Sequence, residues 1–277
     1  MKTMSYRLPT PIEVRNQIEM VGESIHPTDN KRVAKDVDEY QLQMAMKYQY
    51  IVAGRVAEIA GKYQPEDNLV YPVYINDIES VLFPVKTAKR KTESGWTLRG
   101  PAVPFNPKYE PWAEELYEYL QDNTNPFDFG SVGSKPNSSK RILEAAIEFT
   151  FDGFYWNLKP TSDKGSRWVP FKSHSLRRCR TLTLSIFYKL TPYELLFYGG
   201  WEDKDMAKIP SGETHYLYVE IGESPYTLLI IIRQAENFIN KLCVPFDKIH
   251  DMTFSNFLIK DRMEKHNIRF NEGKSEQ

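Results

Sequence analysis

The chain has little cysteine, no long apolar run and almost no net charge, and each absence removes a class of protein. Two cysteines in 277 residues, Cys179 and Cys243, exclude a disulfide-stapled scaffold and fit a reducing cytoplasm. The longest aliphatic run, Leu228–Ile232, is far too short to span a bilayer. The first residues, Met1–Arg7, lack the apolar stretch of a secretory signal. No internal repeat or low-complexity tract is present. A net charge of −1 argues against a protein that simply coats nucleic acid. What remains is a soluble chain with 41% apolar and 13% aromatic residues, which argues against disorder. Its length suffices for one large or two small domains.

The charge is unevenly distributed. Lys86, Lys89, Arg90, Lys91 and Arg99 face a single acid, Glu93, in their stretch. Lys159, Lys164, Arg167, Lys172, Arg177, Arg178, Arg180 and Lys189 face only Asp163. Between Glu110 and Asp128 there are six acids and no cation. A basic face opposite an acidic back binds phosphates at neutral net charge, whereas scattered charge merely solvates a surface.

Thr10-Pro11-Ile12-Glu13 is a helix start: a capping threonine, proline at the first position and a glutamate to close the box. It predicts a short helix to about Val21, followed by a polar loop over Gly22–Lys31. Apolar spacing then predicts a long helical stretch over Val33–Gly61, with Gly54 marking close packing or a break. Ser80–Lys86 and Trp96–Arg99 read as strands of a hairpin with a basic tip, turning through Thr92–Gly95. Further helices are expected over Tyr109–Gln121 (Trp112, Leu116 and Leu120 inward), Ser138–Phe151 and Ser173–Tyr188. Thr191-Pro192-Tyr193-Glu194 opens a short helix that ends at Gly199-Gly200. Lys204–Gly212 reads as loop, Ser224–Leu242 and Met252–Lys265 as helices, and Asn267–Gln277 as a frayed end.

Five chemically useful elements fall in order. Arg55 stands among small and apolar residues three before Glu58, as a buried ion pair or as a phosphate clamp oriented by the glutamate. Lys86 lies where a strand meets the basic tip, from which a lysine reaches a groove and protonates a leaving alkoxide. His174 and Arg177, at i and i+3, share one helix face and suit a phosphorane-like transition state, whose charge gathers on non-bridging oxygens. Trp201 follows the Gly199-Gly200 cap and offers an indole N–H, although tryptophan is more often a core anchor. Tyr216 is one of 17 tyrosines and takes meaning only from its place in the series. Two arginines, a histidine, a lysine and a tyrosine are a sufficient set for breaking a DNA phosphodiester without a metal.

The ordered set Gly-Arg-x-x-Glu, Lys86-Thr87 with Val103-Pro104, Ser173-His174-Ser175-Leu176-Arg177, Gly-Gly-Trp and Tyr resembles the tyrosine recombinase, or phage integrase, family over roughly Leu8–Val219. The resemblance implies a mainly helical α+β catalytic domain with a small antiparallel sheet over residues 1–222. Residues 223–277 would form a C-terminal helical extension or tail, and the family's separate N-terminal clamping domain would be missing. By resemblance Arg55 and Arg177 grip the scissile phosphate, Lys86 is the general acid, and His174 accepts the tyrosine proton and holds the phosphate. Trp201 stands where many members have a second histidine, and Glu58 orients the first arginine or the histidine. Tyr216 attacks to give a 3′-phosphotyrosyl intermediate. Because the interval from Trp201 to Tyr216 is longer than usual, Tyr218 remains an alternative nucleophile. Lys89, Arg90, Lys91, Arg178 and Arg180 are the expected DNA contacts. The implied activity is site-specific cutting and rejoining of duplex DNA in integration or excision of a mobile element. It needs no cofactor and no metal, and the protein would work as a tetramer on DNA at the nucleoid, away from membranes, with an accessory DNA-binding protein as a further partner. A catalytically silent DNA-binding relative and a type IB topoisomerase-like enzyme are the alternatives.

Overall fold

The computed structural model describes residues 8–60, 70–92, 95–123, 125–130, 138–161, 165–199, 219–220 and 231–249. The chain is a mixed α+β fold of helices and small antiparallel sheets of two or three strands. Helix α1 (Pro11–Glu19) begins as its sequence requires. The Thr10 hydroxyl accepts from the Glu13 N–H, and Glu13 reaches back to the Thr10 N–H at 2.7 Å.

Helix α2 (Glu39–Ile51) is the centre of the molecule, packing against α1, α3 (Val56–Ile59), α4 (Ala113–Asp122), α5 (Ser138–Thr150) and α6 (Ser173–Ile186). Every residue from Leu42 to Ile51 is buried, the pattern of a helix enclosed on all sides. Its buried polar residues are tied to the surrounding elements. Gln43 Nε2 donates to the carbonyls of Ile18, Glu19 and Val21 at 3.1 Å each, where α1 ends. Lys47 Nζ meets both oxygens of Glu115, at 2.8 and 2.7 Å. These partners offset the desolvation that burial imposes on amide and ammonium groups.

The expected helix over Val33–Gly61 is shorter at both ends. It starts only at Glu39, where the Asp38 carboxylate caps the Tyr40 N–H. It stops before Ala53, which takes a left-handed φ of 46°. Gly54 follows in a crowded corner, where a Cβ would come within 2.6 Å of Ile59 Cδ1 and 3.0 Å of Val52 Cγ2.

The expected strand Ser80–Lys86 is two strands in different sheets: β2 (Ile78–Leu82) and β3 (Val85–Thr92). Pro84 between them has no N–H to donate to a ladder. β2 lies between β1 (Tyr71–Ile75) and β5 (Ala102–Pro104), and β3 pairs with β4 (Gly95–Arg99), which pairs in turn with β8 (Val219–Glu220). The β1–β2 hairpin was not expected from sequence. It turns at Asn76 and Asp77, both with positive φ (51° and 62°), as a two-residue hairpin loop of matching twist requires. A second hairpin, β6 (Tyr155–Thr161) with β7 (Gly165–Pro170), joins α5 to α6 and was likewise not foreseen.

The later helices follow expectation more closely. Trp112, Leu116 and Leu120 are buried, the last two on α4. Helix α7 (Pro192–Gly199) opens on a Thr191–Glu194 box with the Glu194 carboxylate 2.7 Å from the Thr191 N–H. Residues 231–235 are helical, and a turn separates them from the helix Ile239–Leu242. Ile231, Ala235, Phe238, Ile239, Leu242 and Ile249 are buried in the same apolar cluster as the residues of α2. Gly100 is required here, because a Cβ would lie 2.8 Å from Ile231 Cγ2 and 3.0 Å from Leu82 Cδ1. Among the described residues no helix is long and apolar enough to cross a membrane. The expected loop over Lys204–Gly212 and helix over Met252–Lys265 lie outside the described residues.

Candidate active site

The site begins at the corner that ends α2. Once Ala53 and Gly54 turn the chain, Arg55 becomes the residue preceding α3, and Glu58, three residues on, folds back to accept the Arg55 N–H at 2.9 Å. The same carboxylate takes the Arg55 guanidinium through its other oxygen, Nη1–Oε1 3.0 Å. The Gly-Arg-x-x-Glu spacing is therefore a helix-start device that also points an arginine.

Two further guanidinium groups converge on Glu58. Arg99, the last residue of β4, donates Nη2 to Oε2 at 3.1 Å. Arg177, on the second turn of α6, places Nη1 4.0 Å from the same oxygen. Glu58 is fully enclosed, Arg99 and Arg177 are 3% and 7% exposed, and Arg55 retains 28%. Burial raises the Glu58 pKa. Arg99, the Arg55 N–H, Arg177 and the Arg55 side chain outweigh that effect and hold it at about 2. The carboxylate is thus permanently ionised at neutral pH.

Gln49 sets the spacing between the two halves of this cluster. Its buried amide donates to the Gly54 carbonyl at 3.3 Å and to the Ser173 carbonyl, the first residue of α6, at 3.0 Å. The corner carrying Arg55 and the helix carrying His174 and Arg177 are thereby joined through one side chain. His174 lies exposed on the first turn of α6. Lys86 is half-buried on β3, opposite Leu98 of β4, and β3 packs against α3. The elements bearing Arg55, Glu58, Lys86, His174 and Arg177 therefore meet in one region.

Lys89, Arg90 and Lys91 lie on the same strand, where its pairing is irregular between Lys86 and Lys91 and resumes with Lys91 opposite Trp96. Arg178 is half-buried on α6. Arg180, expected as a DNA contact, is an interior residue only 2% exposed. Its Nη2 bonds Glu110 at 2.7 Å and the Tyr198 hydroxyl at 2.8 Å, and its guanidinium lies over the rings of Tyr50, Tyr198 and Tyr188 at 5.3–5.9 Å. Arg180 stands three residues beyond Arg177, on much the same side of α6 but about 4.5 Å further along its axis, where Glu110 and Tyr198 take the guanidinium in place of Glu58. Trp201, Tyr216 and Tyr218 lie outside the described residues.

Sequence reading missed two contributors. Arg99 was counted with the basic hairpin, and Gln49 was not singled out. Nothing local marks either, since each acquires its role from partners distant in the chain. Among the described residues no group of three or more His, Cys, Asp or Glu side chains is gathered as a metal ion would need. No family profile, curated protein or solved structure matches the chain.

Proposed function

We propose that the chain is a DNA strand transferase of the tyrosine recombinase kind, with that family's catalytic-domain fold, acting on duplex DNA. The observation that carries the reading is the sharing of one buried carboxylate by Arg55 and Arg177, which come from distant segments of the chain. Donors held on rigid elements suit a phosphorane-like transition state, because they need no reorganisation as charge develops.

In the proposed step the Tyr216 oxygen attacks phosphorus while its proton passes to His174. The P–O5′ bond breaks, and the leaving oxygen takes a proton from the Lys86 ammonium. The products are a 3′-phosphotyrosyl bond and a free 5′-hydroxyl. Because one phosphodiester bond replaces another, rejoining by the reverse path needs no external energy source. Arg55 and Arg177 hold the non-bridging oxygens, while Glu58 bonds the Arg55 guanidinium and faces that of Arg177 at 4.0 Å. Lys89, Arg90, Lys91 and Arg178 supply contacts to the DNA backbone, and self-association on DNA brings two duplexes together.

Covalent trapping tests the reading. The protein is incubated with duplex DNA, including nicked suicide substrates from the flanks of its own gene, and quenched in detergent. A protein–DNA adduct is expected, lost in Tyr216→Phe and retained in Tyr218→Phe; the reverse pattern would move the nucleophile to Tyr218. Binding without any adduct would make the chain a silent relative. Plasmid relaxation without recombinant products would make it topoisomerase-like.

A further inference from the structure

We infer that Arg99 is a positioning residue that ties the hairpin carrying Lys86 to the carboxylate that holds Arg55 and Arg177. The inference rests on the strand-transfer reading above and adds to it a residue that sequence comparison of motifs does not supply.

The register brings Arg99 close to Lys86 along the hairpin. Val85 pairs with Arg99 and Lys86 with Leu98, so Lys86 is adjacent to Arg99's own cross-strand partner. Arg99 is anchored twice on the other side: Nη1 donates to the Val52 carbonyl, where α2 ends, at 2.5 Å, and Nη2 donates to Glu58 Oε2 at 3.1 Å. The side chain is 3% exposed, so it belongs to the interior of the site and not to the DNA-facing surface. Gly100, next in the chain, is pressed against Ile231 and Leu82, which limits movement of the strand end.

The chemical consequence follows from distance. A general acid works only within hydrogen-bond reach of the atom it protonates, roughly 2.6–3.2 Å. Lys86 rides on a flexible stem from a strand, and the phosphate is held by residues of α3 and α6. The two must therefore be indexed to each other by something rigid. A two-pronged guanidinium meets that need, because its planar fork fixes direction as well as distance. An error of about 1 Å in such placement costs on the order of 100-fold in rate.

A 5′-bridging phosphorothiolate separates positioning from plain structural support. A sulfur leaving group departs without a proton, so a misplaced acid no longer matters, whereas a damaged phosphate clamp or a loosened fold still does. Single-turnover cleavage is measured for the full chain on oxygen and sulfur substrates at the site recovered by trapping, with thermal melts of each variant alongside. Arg99→Met is expected to cleave the oxygen substrate roughly 10- to 100-fold more slowly than wild type and the sulfur substrate within a few-fold of it. It should match Lys86→Ala in pattern and differ from Arg177→Ala, which stays slow on both. Arg99→Lys, which keeps the charge with a single prong, should fall between and also recover on sulfur; it carries the test if Arg99→Met does not fold. Equal slowing of the Arg99 variants on both substrates, or wild-type cleavage of the oxygen substrate, would overturn the inference. If the wild-type protein cleaves neither substrate, the strand-transfer reading itself is wrong.

Discussion

Arg177 and Arg180 are three residues apart on one helix and have opposite fates. Arg177 shares Glu58 with Arg55 and Arg99, while Arg180 is enclosed by Glu110 and three tyrosines. Removing Arg180 leaves Glu110 buried without its ion-pair partner, so Arg180→Ala should lose about 3–5 kcal/mol of stability, visible as a lower urea midpoint. Glu58 makes a pH prediction. Its folded pKa of about 2 lies below its ordinary value of 4.5, so its contribution is complete above about pH 4.5 and disappears as pH falls through about 2. Urea unfolding across pH 6 to 2 should show about 3 kcal/mol lost from this source. Glu58→Gln, less stable at neutral pH, should show a correspondingly flatter acid limb. An unchanged limb would mean that other carboxylates dominate acid unfolding.

At the scale of elements, the corner between α2 and α3 determines where Arg55 points. Gly54 is surrounded by Ile59 and Val52 at distances a methyl group cannot accept. Gly54→Ala should therefore destabilise by about 1–3 kcal/mol through overpacking, read as a lower Tm. Because the same residue shapes the corner, cleavage should fall by more than the small loss of folded protein explains. Much of this region was legible in the sequence. The Thr10 and Thr191 boxes, the Gly54 break and the helix beginning at Ser173 all depend on near neighbours in the chain, and local chemistry decides them. The β1–β2 and β6–β7 hairpins were not legible. Asn76-Asp77 lacks the glycine that usually marks such a turn, and strand pairing rewards contacts that no local window contains.

At the scale of the molecule, residues 231–249 complete the core. Ile231, Phe238, Ile239 and Leu242 are buried with residues of the helical body, and Lys241 reaches Glu194 of α7 at 2.7 Å. A chain ending at Gly222 should accordingly lose cooperative unfolding and expose apolar surface. Broadened thermal transitions and rapid limited proteolysis would report this; a sharp transition at the wild-type Tm would show that the helical body stands without the later segment.

Composition, caps and periodicity were enough to establish a folded chain of mixed α+β type, the helix on which His174 and Arg177 sit, and the order of the candidate chemistry. These properties depend on short-range sterics and hydrogen bonding, which a sequence carries directly. Only the tertiary structure decided that Arg99 and Gln49 belong to the site and that Arg180 does not. It also decided that one glutamate serves three arginines. Each outcome depends on which faces of distant elements meet, and a buried charge takes its role from whatever partner that meeting supplies.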